Sequence, residues 1–279
     1  MTQRAWINPG RTGQVVAAWL LALWLSALGL SALFGCASSP DAPDSGDRIT
    51  DSDESGVRKR ARIRLELALG YLEQDKTTIA LDEIKQAIIA DPNFADAYSL
   101  RGLIYMRLHD FGIAEASFHK ALSISPDDPN VMHNLGWLKC QQALYPEAFQ
   151  LFSQAIAMPL YGERAKTWMA QGLCQVRAGL RADAEQSLLK AYEYDAANPV
   201  TGYNLAHVLF QNADYLRARF YIRRLNNSEF ANAESLWLGI KIEHKLTNNE
   251  ALLQLANQLE KRFSQSREAT ALHQGAFDE

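Results

Sequence analysis

Three textures follow one another along the chain. Residues 15–34, VVAAWLLALWLSALGLSALF, carry no charge and follow Arg4 and Arg11. Residues 37–56, ASSPDAPDSGDRITDSDESG, offer almost nothing to bury, which predicts a disordered, extended tether. From Val57 on, apolar residues recur at helical spacing in short stretches broken by turn-forming tetrapeptides: DKTT at 75, HDFG at 109, ALYP at 143, GLRA at 179 and ADYL at 213.

The stretches repeat. Ala80, Ala114, Ala148, Ala184, Ala218 and Ala251 are separated by 34, 34, 36, 34 and 33 positions, and a second column of small residues, Ala68, Gly102, Gly136, Gly172, Ala206 and Gly239, takes the same steps. A third column holds Ile84, Phe118, Phe152, Leu188, Ile222 and Leu255; a fourth holds Ala87, Ala121, Ala155 and Ala191 before it degenerates to Leu225 and Gln258. The two small columns fall on either side of the turns, so they predict helical hairpins whose helices approach closely, with the Phe/Leu/Ile column packing into the next unit. Pro92 and Pro126 end second helices. This spacing resembles the tetratricopeptide repeat (TPR). The fold class expected is all-α, a right-handed solenoid of about six TPR hairpins from Val57 to Phe263, with a frayed or short capping helix after it. The expected domains are 1–35, a targeting segment; 36–56, Cys36 and the tether; 57–265, the solenoid; and 266–279, a C-terminal tail.

The N-terminal run is an export signal, long enough to span a membrane yet followed by LFGC. Those four residues resemble the lipobox of bacterial lipoproteins, with Leu33 at −3, Gly35 at −1 and a bulkier Phe34 at −2. The resemblance favours lipidation of Cys36 and a new N-terminus there over an uncleaved anchor or ordinary secretion. Ala37, in place of an aspartate, favours delivery to the outer membrane.

Composition narrows the partners. The formal charge of −4 becomes −6 once residues 1–35, with Arg4 and Arg11, are removed, and an acidic surface suits nucleic acid poorly. The six histidines, His109, His119, His133, His207, His244 and His273, lack metal-site spacing, and no nucleophile elbow or phosphate loop occurs. No catalytic residue, metal, cofactor or small-molecule substrate is expected. The basic run VRKRARIR at 57–64 reads as a solvated helix face in preference to a lipid-headgroup patch. Cys140 lies four residues after Gly136 and Cys174 two after Gly172; a two-residue offset is about 200° on a helix, so two separate buried thiols are expected in preference to a disulfide.

A TPR array presents the inner face of its first helices to a partner segment. Asn134 and Asn204 stand two residues before the small column, where many TPR domains use asparagine to bond a partner's backbone. Leu103, Met106, Trp137, Met169, Leu173, Tyr203 and Phe210 accompany them. These nine residues are the expected partner-binding set, for an extended or helical apolar segment.

The two-residue stretch of one step falls in PLYGERA at 159–165, which resembles a linker of the PilF/PilW family, the TPR lipoproteins of type IV pilus biogenesis. ANAESLWLGIKIEHKL at 231–246 is similar to that family's last unit, and residues 130–155 match its spacing. The resemblance implies a pilotin: a non-enzymatic outer-membrane lipoprotein, anchored on the periplasmic side through lipid on Cys36, that binds the pilus secretin through its groove and helps it localise or multimerise. Two other binding roles remain open, an inner-membrane-anchored periplasmic co-chaperone and a lipoprotein scaffold for cell-wall enzymes.

Overall fold

A computed structural model of the chain describes residues 54–277; the apolar run, Cys36 and nearly all of the tether lie outside the described residues. Among the described residues every regular element is an α-helix: α1 (Gly56–Glu73), α2 (Thr77–Ala90), α3 (Ala95–Arg107), α4 (Phe111–Ile124), α5 (Pro129–Gln141), α6 (Tyr145–Ala157), α7 (Arg164–Arg177), α8 (Arg181–Tyr194), α9 (Pro199–Gln211), α10 (Tyr215–Asn226), α11 (Ala233–Lys245), α12 (Asn249–Phe263) and α13 (Arg267–Gln274). Successive pairs from α1–α2 to α11–α12 form six TPR hairpins in a right-handed solenoid, and α13 caps the last against α11 and α12. The expected capping helix is therefore present.

Each hairpin turns in the same way. The residue after the first helix's C-cap takes positive φ: Asp75, His109, Ala143, Gly179, Ala213 and Thr247. Its N–H bonds three residues back while the next N–H bonds five back, as in His109 to Met106 and Asp110 to Tyr105 at 3.1 and 2.9 Å, which satisfies carbonyls the helix leaves orphaned. In the second, fifth and sixth hairpins, Asp110, Asp214 and Asn248 then cap the next helix with their side chains. Only Gly179 holds this left-handed position without a Cβ penalty. Ala213→Gly should therefore raise the unfolding free energy by about 0.5–1 kcal/mol and Gly179→Ala lower it by a similar amount, read from urea midpoints.

The core follows the columns. Ala80, Ile84, Ala114, Phe118, Ala148, Phe152, Ala184 and Leu188 are completely buried. Phe118 packs both on Gly102 in its own hairpin and among Val131 and Leu135 of the next, so the third column serves two interfaces rather than one. On α1, Lys59, Arg60 and Arg64 are exposed and Arg58 and Arg62 half-exposed, the solvated face expected.

The PLYGERA linker is built around two side chains. Arg164 donates to the carbonyls of Ile156 at 3.1 Å, Tyr161 at 2.7 Å and Pro159 at 2.9 Å, and to that of Met158. Tyr161 turns inward, its hydroxyl 2.7 Å from Thr167 Oγ1, which lies 2.9 Å from His133 Nδ1 on the neighbouring first helix.

Cys140 and Cys174 form a disulfide, with Cα atoms 5.8 Å apart, which overturns the expectation of two separate thiols. Side chains that meet between neighbouring parallel helices leave opposite sides of their own helices, so a half-turn offset is what brings them together. Across α5 and α7 the facing pairs are 34 residues apart, His133 with Thr167 and Cys140 with Cys174, whereas equivalent positions are 36 apart.

Candidate functional site

All nine predicted partner-binding residues lie on first helices: Leu103 and Met106 on α3, Asn134 and Trp137 on α5, Met169 and Leu173 on α7, and Tyr203, Asn204 and Phe210 on α9. Their availability differs. Leu103 is 36% exposed, while Met106 is 8% exposed and packs in the core with Phe118 and Leu138, so its role is in packing. Trp137 is half-buried between the core shared by the second and third units and that shared by the third and fourth, with the Arg177 guanidinium 5.0 Å over its ring. Met169, Tyr203 and Phe210 pack partly against the core of the fourth and fifth units, and Leu173 is half-buried.

Both asparagines already have partners. Asn134 Nδ2 reaches Ser99 Oγ at 3.5 Å, and Asn204 Nδ2 donates to the Val200 carbonyl one turn back at 2.8 Å. The Asn204 bond lies within one exposed helical turn, so a peptide backbone could replace it at little net cost, whereas the Asn134 bond is a partly buried contact to α3 of the preceding hairpin.

This face also carries a cavity that, Tyr203 apart, lies outside the cluster of the nine expected residues. It holds about 590 Å³ and lies between α9, α11 and α13, lined by Tyr203, His207, Trp237, Lys241, Arg267 and Glu268 among others. Tyr203 and His207 stack with ring centroids 6.0 Å apart. Burial lowers the pKa of Lys241; burial, followed by the charges of Lys241 and Arg181, lowers that of His207. Trp237 occupies the same repeat column as Asn134 and Asn204, two residues before Gly239, and that register was the available signal.

His133 is part of the frame of this face. Burial, then the charge of Lys166, depresses its pKa from 6.5 to about 4. The folded state thus disfavours a proton that the unfolded chain accepts. Stability should be unaffected by this group above pH 6.5 and fall as pH drops from 6.5 towards about 4; a His133→Gln variant should lose less over that window in urea titrations.

Among the described residues no helix is long and apolar enough to cross a membrane, and no cluster of three or more His, Cys, Asp or Glu could hold a metal ion. Residues 93–160 match the tetratricopeptide repeat family model. The type IV pilus assembly protein PilF of Pseudomonas aeruginosa is 26% identical over 236 residues, covering 85% of this chain and 91% of that protein. The solved structure of Pseudomonas aeruginosa PilF shares the fold with a TM-score of 0.70 at 24% identity, over 79% of this chain and all of that one. That of PilW, a type IV pilus biogenesis factor, gives 0.69 at 28% identity, over 76% and 97%.

Proposed function

We propose, from the premise that the chain belongs to the PilF/PilW-like family of tetratricopeptide-repeat proteins, that it is a non-enzymatic pilotin of type IV pilus biogenesis. Residues 1–35 are its signal peptide, Cys36 is its lipidated N-terminus, and 37–56 tether a solenoid of residues 57–265. The inner face of that solenoid binds a subunit of the pilus secretin, and the lipid carries the pair to the periplasmic side of the outer membrane. The observation that carries this reading is the match to PilF across most of both chains. The lipobox-like LFGC supports the anchor, and a disulfide between Cys140 and Cys174 suits an oxidising compartment.

Mechanistically the protein would act through effective concentration. A solenoid that holds the subunit and a lipid that confines it turn membrane encounter and multimerisation into local events. Leu103 and Leu173, Trp137 and Tyr203 supply apolar contact, while Asn134 and Asn204 offer their amides to an extended backbone. Met169 and Phe210 support these residues by packing against the core, and Met106, buried with Phe118 and Leu138, serves packing.

Two variants separate the halves. Cys36→Ser should lose incorporation of a fatty-acid analogue and leave the membrane fraction while still binding secretin in solution. Leu103→Glu with Leu173→Glu should stay folded and lipidated and reach the outer membrane, yet lose about 2 kcal/mol of binding, roughly thirty-fold in affinity, with few secretin multimers and surface pili. Normal secretin assembly in both strains would remove the pilotin reading.

A further inference from the structure

The fourth hairpin buries amide groups where its successors bury aliphatic side chains. One residue before and three residues after the small column stand Leu205 and Leu209 on α9, and Leu238 and Ile242 on α11; all four lie in one apolar cluster with Leu188 and Ile222. The same two positions on α7 hold Gln171 and Gln175. On α7 the core contact with the preceding hairpin falls instead to Ala170 and Cys174, which pack with Ala148 and Phe152. The two glutamines, one turn apart, line a cavity of about 440 Å³ between α7 and α8.

Gln175 is 7% exposed, and its Oε1 is buried with no hydrogen-bond partner. Gln171 Oε1 is buried and unpartnered in the same way, while its Nε2 reaches Ser187 Oγ at 3.4 Å. A buried acceptor without a donor destabilises a fold, so two of them side by side call for a donor from outside. The other lining residues select its kind. Trp168, half-buried, supplies an indole ring one turn before Gln171. The ionisable groups are two carboxylates, Asp183 and Glu193, and one ammonium, that of Lys190, whose Nζ lies 2.7 Å from Glu193. Asp183 is left as the net charge of the lining. Acceptors, an aromatic ring and a negative charge match a guanidinium, which is flat, cationic, donates only, and is more weakly hydrated than an ammonium. Sugar hydroxyls would suit the ring and the amides but leave the charge unanswered.

We propose that this cavity is a second binding site, one that takes an arginine side chain from a segment of a partner protein. The guanidinium stacks on Trp168, donates to Gln171 Oε1 and Gln175 Oε1, and is balanced by Asp183. The volume is within the range of ligand pockets, about 300–1,000 Å³, and admits residues flanking the arginine as well. Gln171 and Gln175 are each two residues from Leu173, about 200° round the helix, so the cavity opens away from the inner face and the two surfaces can be occupied together. The site stands independently of the partner assigned to the inner face.

The probe is the peptide acetyl-Gly-Ala-Arg-Ala-Gly-amide, titrated into the full chain in detergent with isotopically labelled tryptophan. The readout is the Trp168 indole N–H resonance, assigned by its loss in Trp168→Phe. The peptide should move that signal saturably, and Lys in place of Arg should weaken binding about ten-fold, because an ammonium lacks the flat fork. Asp183→Asn, at an exposed position, should weaken binding about ten-fold, and Gln175→Leu about thirty-fold, each with the circular dichroism spectrum unchanged. Methylguanidinium alone should bind about ten-fold more weakly than the peptide, since it leaves the rest of the cavity unfilled. The proposal fails if the peptide leaves the Trp168 signal unmoved, if Lys serves as well as Arg, or if either variant binds like the wild type. Methylguanidinium binding as tightly as the peptide also overturns it, because the occupant is then a small cation. So does chitotriose moving the signal where the peptide does not, which would assign the cavity to carbohydrate.

Discussion

Cys140→Ala combined with Cys174→Ala is expected to lower the unfolding free energy by about 4 kcal/mol. The two cysteines are 34 residues apart, and cross-linking a loop of that size removes roughly this much chain entropy from the unfolded state. The place of the bond adds to its effect. It staples α5 to α7 across the long six-residue linker between the third and fourth hairpins, where the repeat step stretches to 36. A solenoid is held only by contacts between neighbours, so a bond that ties two adjacent hairpins stabilises both. Urea unfolding with and without reductant provides the check. Reductant should bring the wild type down to the double variant and leave the variant unmoved; a wild type insensitive to reductant would mean that the cysteines are thiols.

How far the structure could be read from the sequence depends on what kind of fact each column encodes. The small-residue and alanine columns report close helix approach, a property of each hairpin, and they located all six. The left-handed turn residue escaped notice because its conformation is imposed by the Schellman bonds and not by residue type: Asp75, His109, Ala143, Ala213 and Thr247 share nothing in side-chain chemistry. The repeat columns do not show the disulfide, because equivalence between repeats is not proximity: the residues that face each other across α5 and α7, Cys140 with Cys174 and His133 with Thr167, are not at equivalent positions. On the inner face, register placed Leu103, Trp137 and Tyr203 on first helices, but it could not tell Met106, buried among Phe118 and Leu138, from a groove residue. The return of Phe277 onto Trp237 joins residues 40 apart through a helix that belongs to no repeat, and periodicity says nothing about it.

Gly102→Leu should cost about 3 kcal/mol or more, near the upper end of overpacking effects. A Cβ built on Gly102 would sit 2.5 Å from the Phe118 ring, closer than side chains tolerate, and that ring is completely buried and cannot swing aside. The rest of a leucine would have to part α3 from α4. The same relation recurs along the column: Gly136 would meet Phe152 at 2.9 Å and the Ala148 carbonyl at 3.3 Å, and Gly172 would meet Leu188 at 2.7 Å. Glycine is tolerated inside these helices, despite a penalty of about 1 kcal/mol against alanine, because the contact it permits is worth more. Gly70 supplies the opposite case. It lies inside α1, and a Cβ there meets nothing within 4 Å, so Gly70→Ala should gain about 0.5–1 kcal/mol while Gly102→Ala loses stability. The same substitution at two helical glycines is thus expected to change the urea midpoint in opposite directions. If Gly102→Leu unfolded at the wild-type midpoint, the second hairpin would not be closed through Gly102 and Phe118, and the small-residue column would have some other cause.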